Sequence, residues 1–76
     1  QKALGRVSED SYATLELGAV ASERGRREQA VRLLRRAVAL APRDRLARAA
    51  LGIALAGHEV DVEALNQAIL DGAEQF

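Results

Sequence analysis

Between Gly25 and Pro42 the apolar residues keep to a single helical face. Ala30, Val31, Leu34, Ala37, Val38 and Ala41 recur at the three-and-four spacing of a buried stripe, while Arg32, Arg35 and Arg36 fall mainly on the other side. Both ends of the segment are marked. Gly25 suits the left-handed stop of the helix before it. Pro42 cannot continue a helix and disfavours helical geometry at Ala41. An apolar stripe of this kind must be covered, and the preceding residues supply the cover. Tyr12, Leu15, Ala19 and Ser22 form one stripe of a helix that ends at Gly25, and Leu17, Gly18 and Ala21 form another. The stretch Ser11–Pro42 therefore reads as two amphipathic helices folded back on each other.

Composition supports helices and excludes most other classes. Half the chain is apolar, but mainly Ala, Leu and Val, with one Tyr and one Phe among 76 residues. That mixture fits closely packed helices and fits a β-sandwich poorly. A chain of this length buries only about 60–65% of its unfolded surface, so one domain with a thin core is expected. Without cysteine there is neither a disulfide framework nor a thiolate metal site. The longest apolar run is far short of the ~20 residues of a membrane span. No signal peptide is visible, and a chain opening at Gln1 reads as one that has lost its true start.

The remaining helices follow from their caps. Gln1–Leu4 reads as the last turn of an earlier helix stopped at Gly5, and Ser8-Glu9-Asp10-Ser11 as the acidic, capped start of the next. Asp44 caps a third helix from Arg45 to Ala56, stopped by Gly57, in which Leu51, Ile53, Ala54 and Leu55 are apolar around most of the circumference. Asp61 caps a fourth helix with Glu63 in its first turn and Ala64, Leu65, Ala68 and Ile69 as its stripe. Gly72 either ends that helix or weakens it.

Charge is segregated along a chain whose formal net charge is zero. Residues 1–23 balance at −2, from Lys2 and Arg6 against four acids. Residues 24–48 balance at +7, from nine Arg against Glu28 and Asp44. Residues 49–76 balance at −5, with five acids and no Lys or Arg. A basic middle between acidic ends is either a solvated outer face or a docking stripe.

The pattern Leu17-Gly18, Ala30, Leu34, Ala37 and Pro42 resembles a tetratricopeptide repeat, a helical hairpin of about 34 residues. Shifted by that period, Leu17-Gly18 falls on Leu51-Gly52, Ala30 on Ala64, and Ala37 on Ala3. The later slots depart from the pattern: Asp71 replaces Ala, Phe76 and Ser8 replace Pro, and Thr14 and Arg48 occupy the early Trp slot. Ala21 and Leu55 occupy the Tyr slot. The resemblance implies an all-α stack of antiparallel hairpins, a solenoid fragment of about two repeats. Its tail of a preceding helix would be 1–7, its first hairpin 8–42 and its second 43–76. Such repeats normally stack in threes or more, so the expectation is an excised piece of a longer array or a chain that self-associates.

The resemblance further implies a concave groove lined by the first helix of each hairpin. On this chain that means Tyr12, Leu15, Glu16, Ala19, Ser22 and Glu23, then Leu46, Ala49, Ala50, Ile53 and Ala56. Leu15, Ala19, Ala49, Ile53 and Ala56 form its expected floor, with Tyr12, Glu16 and Glu23 at the edge. The set lacks the Lys, Arg and Asn side chains of a carboxylate clamp, and suits an apolar or amphipathic segment of a protein partner. The bland alternative is that Ala49, Ala50, Ile53 and Ala56 pack against another helix.

The function expected is a protein–protein interaction scaffold, with homo-oligomerisation as the runner-up. Nucleic acid is the weaker rival, because neither Tyr12 nor Phe76 lies near the arginines to stack on bases. Catalysis is not expected. His58 is the sole histidine, in an acidic turn, and Ser8, Ser11 and Ser22 have no histidine near them in sequence. No catalytic residue, cofactor site or metal site is expected, since a metal would want several ligands at fixed spacing.

Overall fold

Two left-handed glycines set the turns. Gly25 has φ 77° and Gly57 φ 87°, a region that an L side chain enters at a cost. Around Gly25 the Arg26 N–H reaches back to the Ala21 carbonyl at 2.8 Å and the Gly25 N–H to Ser22 at 3.0 Å. Around Gly57 the His58 N–H reaches Ile53 at 3.1 Å and the Gly57 N–H reaches Ala54 at 3.0 Å. Both are the paired bonds of a Schellman cap, which satisfies carbonyls that a helix end leaves open.

The computed structural model describes the backbone of residues 2–74 and the side chains of residues 10–72. Within those residues the chain is all-α: α1 Lys2–Glu23, α2 Arg27–Leu40, α3 Arg45–Leu55 and α4 Val62–Glu74. The expectations on Gln1 and Phe76 lie outside the described residues, as do those on the side chains of Ala3, Ser8 and Glu9. The Asp44 carboxylate accepts from the Leu46 N–H at 3.0 Å, and that of Asp61 from the Ala64 N–H at 3.2 Å. These are the caps that open α3 and α4.

One boundary differs from the sequence reading. The expected stop at Gly5 and restart at Ser8 are absent, and α1 passes through both. A glycine inside a helix costs only about 1 kcal/mol relative to alanine, too little to force a break. Ser11, expected in the cap, lies within α1 and is fully buried. Its hydroxyl donates to the Ala37 carbonyl of α2 at 3.2 Å.

Ser11 meets Ala37 while Gly18 meets Leu34, so α1 and α2 run antiparallel. Small residues let them approach: a Cβ on Gly18 would stand 2.9 Å from Cγ of Leu34. Ala30 and Ala37, the other small positions of the pattern, are buried beside it. The core joins Leu15 and Leu34 to Ala37, Leu46, Ala47, Ala50, Ala54 and Val60. Val31, Val38, Leu51, Ile53, Val62, Leu65 and Ile69 pack against its margin. Half of that core is alanine, so the helices are held by close approach more than by large side chains.

The internal period is not the 34 residues of the sequence pattern. Gly25 and Gly57 stand 32 positions apart, which matches Leu15, Gly18 and Ser22 to Ala47, Ala50 and Ala54. The matched α3 positions are all buried. Gly52, paired with Gly18 by the 34-residue shift, faces solvent with nothing within 4 Å of an added Cβ. The second turn is longer, so α2 and α4 begin 35 positions apart. Ala30 and Leu34 then match Leu65 and Ile69, which pack on the core, while Ala64 is exposed.

Candidate functional site

The turn from α3 to α4 and the first residues of α4 carry the alternation Glu59-Val60-Asp61-Val62-Glu63. Val60 turns inward and is only 4% exposed. Its N–H donates to the Ser22 hydroxyl at 3.2 Å, which fastens the turn to α1. Glu59, Asp61 and Glu63 are left exposed.

Across from this turn, α1 presents Glu16, Ala19, Val20 and Glu23. The two walls enclose an open cleft of about 620 Å³. Its apolar lining is Ala19, Val20, Val60 and Val62, and its charged lining is Glu16, Glu23, Glu59, Asp61 and Glu63. Among the described residues no Lys, Arg or His lines it. Charges of one sign along a cleft with apolar walls concentrate the local field and attract the opposite charge. Tyr12 stands one helical turn before Glu16. Hydrogen bonding to Glu16 and the charges of Glu16 and Glu63 hold its phenol above the ordinary tyrosine range.

The expected groove residues divide into four groups. Glu16, Ala19 and Glu23 line the cleft, with Tyr12 beside them. Ser22 is half-buried and serves as the acceptor for Val60. Leu15, Leu46 and Ala50 are core residues, at 0%, 8% and 0% exposure. This corrects the expected apolar floor at Leu15, which offers a ligand no surface, and removes Leu46 and Ala50 from the expected groove lining. Ala49 and Ile53 are half-buried, and Ala56 is exposed as the residue that ends α3. Val20 and the whole run Glu59–Glu63 were not anticipated as lining. The signal that could have found them is that five-residue alternation, an apolar pair threaded through three acids.

Two further depressions lie elsewhere among the described residues. Between the glycine turns, Ser22, Arg27, Ala30, Ala54 and His58 help line a space of about 310 Å³. Arg27 Nη2 donates to the Leu55 carbonyl there at 2.7 Å, a cation at the negative end of α3. On the outer side of α2, Gln29, Arg32, Leu33 and Arg36 line a shallow depression of about 440 Å³.

Among the described residues no group of three or more His, Cys, Asp or Glu side chains is placed to hold a metal ion. No described helix is long and apolar enough to cross a membrane. No protein-family model, curated protein or solved structure matches the chain.

Proposed function

We propose that the chain is a protein–protein interaction scaffold of the tetratricopeptide kind, acting by binding and without catalysis of its own. The observation that carries the reading is the cleft between α1 and the α3–α4 turn. It sets four apolar residues beneath five carboxylates. An apolar groove alone would suit an apolar segment; this one favours an amphipathic segment bearing Arg or Lys along one edge. The close antiparallel contact at Gly18, Ala30 and Ala37 supports the family reading, since those are the small positions on which the resemblance rests.

The cleft is set for recognition rather than assembled by its ligand. Val60 is held to Ser22, and Asp61 is held by capping α4. A partner therefore bears little of the cost of ordering the walls. The test is binding of a labelled peptide that alternates Arg with Leu, beside a second peptide with Glu in place of Arg. Saturable binding of the basic peptide alone, lost in Glu59→Gln/Glu63→Gln without loss of helicity, is the expected result. Equal binding of the acidic peptide, or no effect of the substitutions, would sink the reading.

A further inference from the structure

The segment with the chemistry that the cleft favours is present on the protein itself. The outer face of α2 exposes Arg32, Arg35 and Arg36, with half-buried Leu33 at its edge beside Arg32 and Arg36. Their helix is anchored from behind by Ala30, Leu34 and Ala37, so the face is rigid and cannot fold into its own cleft. It shares no residue with the cleft. We infer that the acidic cleft of one copy receives the arginine face of α2 from a second copy. The inference rests on the cleft reading above and goes further by naming the occupant.

The charges of the two surfaces are complementary. Among the described residues five carboxylates and no cation line the cleft, while nine of the chain's eleven Lys and Arg residues lie within 24–48. Unless a two-fold axis reciprocates it, such a contact is heterologous: each added copy leaves one cleft and one arginine face free. Growth is then open-ended unless the rotation closes a ring. Exposed charges screened by salt make the association weak and sensitive to ionic strength.

Sedimentation over a concentration series tests this with two variants. The cleft variant is Glu59→Gln/Glu63→Gln and the face variant is Arg32→Gln/Arg36→Gln, each checked for helicity and melting. Wild type gains mass with concentration, more at low salt, and returns to monomer on addition of the basic peptide. Each variant alone associates about tenfold more weakly. Mixed, they form a one-to-one pair that grows no further, because one supplies an intact face and the other an intact cleft. A wild type that stays monomeric at low salt overturns the inference, as does a mixture that forms no pair. A monomer that still binds the basic peptide overturns only this inference and leaves the cleft reading standing. Failure of both assays removes the cleft reading as well.

Discussion

Gly18 of α1 lies so close to Leu34 of α2 that a methyl group on it would stand 2.9 Å from both Cγ and Cδ2 of the leucine. Cγ is not the free end of a mobile chain, and Leu34 is fully buried, so the neighbour has little room to yield. Gly18→Ala should destabilise the fold by about 1–3 kcal/mol from overpacking, offset by up to about 1 kcal/mol of helix propensity. Gly52 sits inside α3 with open space around it. Gly52→Ala should therefore stabilise by about 0.5–1 kcal/mol. Urea unfolding of the two variants checks the sign at each position. The same sign at both would mean that the two glycines share an environment after all.

Among the described residues Leu34 and Leu15 are the only large apolar side chains buried to under 2% exposure. Removing one creates a cavity that a thin core has few neighbours to fill. Leu34→Ala should cost about 2–5 kcal/mol. For a chain of this length the whole stability is roughly 4–11 kcal/mol. The variant should melt far below wild type, or lack a cooperative transition in thermal circular dichroism.

Ile53 packs against the core margin and does not line the cleft. Ile53→Glu places a charge in a half-buried apolar setting and should cost about 2–4 kcal/mol. Each kcal/mol corresponds to about 4–8 °C in Tm for a domain of this size. Peptide binding measured well below the lowered Tm should survive. Glu59→Gln should do the reverse, weakening binding while leaving Tm nearly unchanged. Lost binding in Ile53→Glu at unchanged Tm would place Ile53 on the docking surface instead.

Tyr12 is the sole tyrosine, so its ultraviolet titration reports one group. Hydrogen bonding to Glu16, then the charges of Glu16 and Glu63, raise its pKa above the ordinary tyrosine range. Raising the pKa of a neutral acid means that the fold favours the protonated phenol. Any stability from it is therefore present below the unfolded value and lost as pH rises through the folded one. Glu16→Gln should move the midpoint down, toward the ordinary value. An unmoved midpoint would show that Glu16 does not engage the phenol.

Much of the architecture was legible because its signals are local. Gly25, Gly57, Asp44 and Asp61 each act within five residues of their own backbone, and all four do what their residue type predicts. The repeat register was not legible. It depends on the lengths of two turns, and the longer second turn shifts α4 against α2 while the shorter spacing of the glycines shifts α3 against α1. Gly52 matches the pattern of letters and faces water. The cleft was half legible: Glu16, Ala19 and Glu23 follow from the face of α1, opposite a core stripe the sequence displays. Its other wall comes from residues about 40 positions away that read as a solvated turn. Only the burial of Val60 against Ser22, a tertiary fact, brings them there.

Zero net charge describes this molecule only from far away. With carboxylates gathered along one cleft and arginines along the outer side of α2, its leading electrostatic moment is a dipole. A dipole turns before it touches. An approaching cation, peptide or second copy is oriented within about a Debye length of the surface, near 8 Å in physiological salt. Substitutions that leave the net charge at zero but move one charge between the two faces should thus alter encounter rates, while exchanging Glu for Asp or Arg for Lys within one face should leave that steering largely intact.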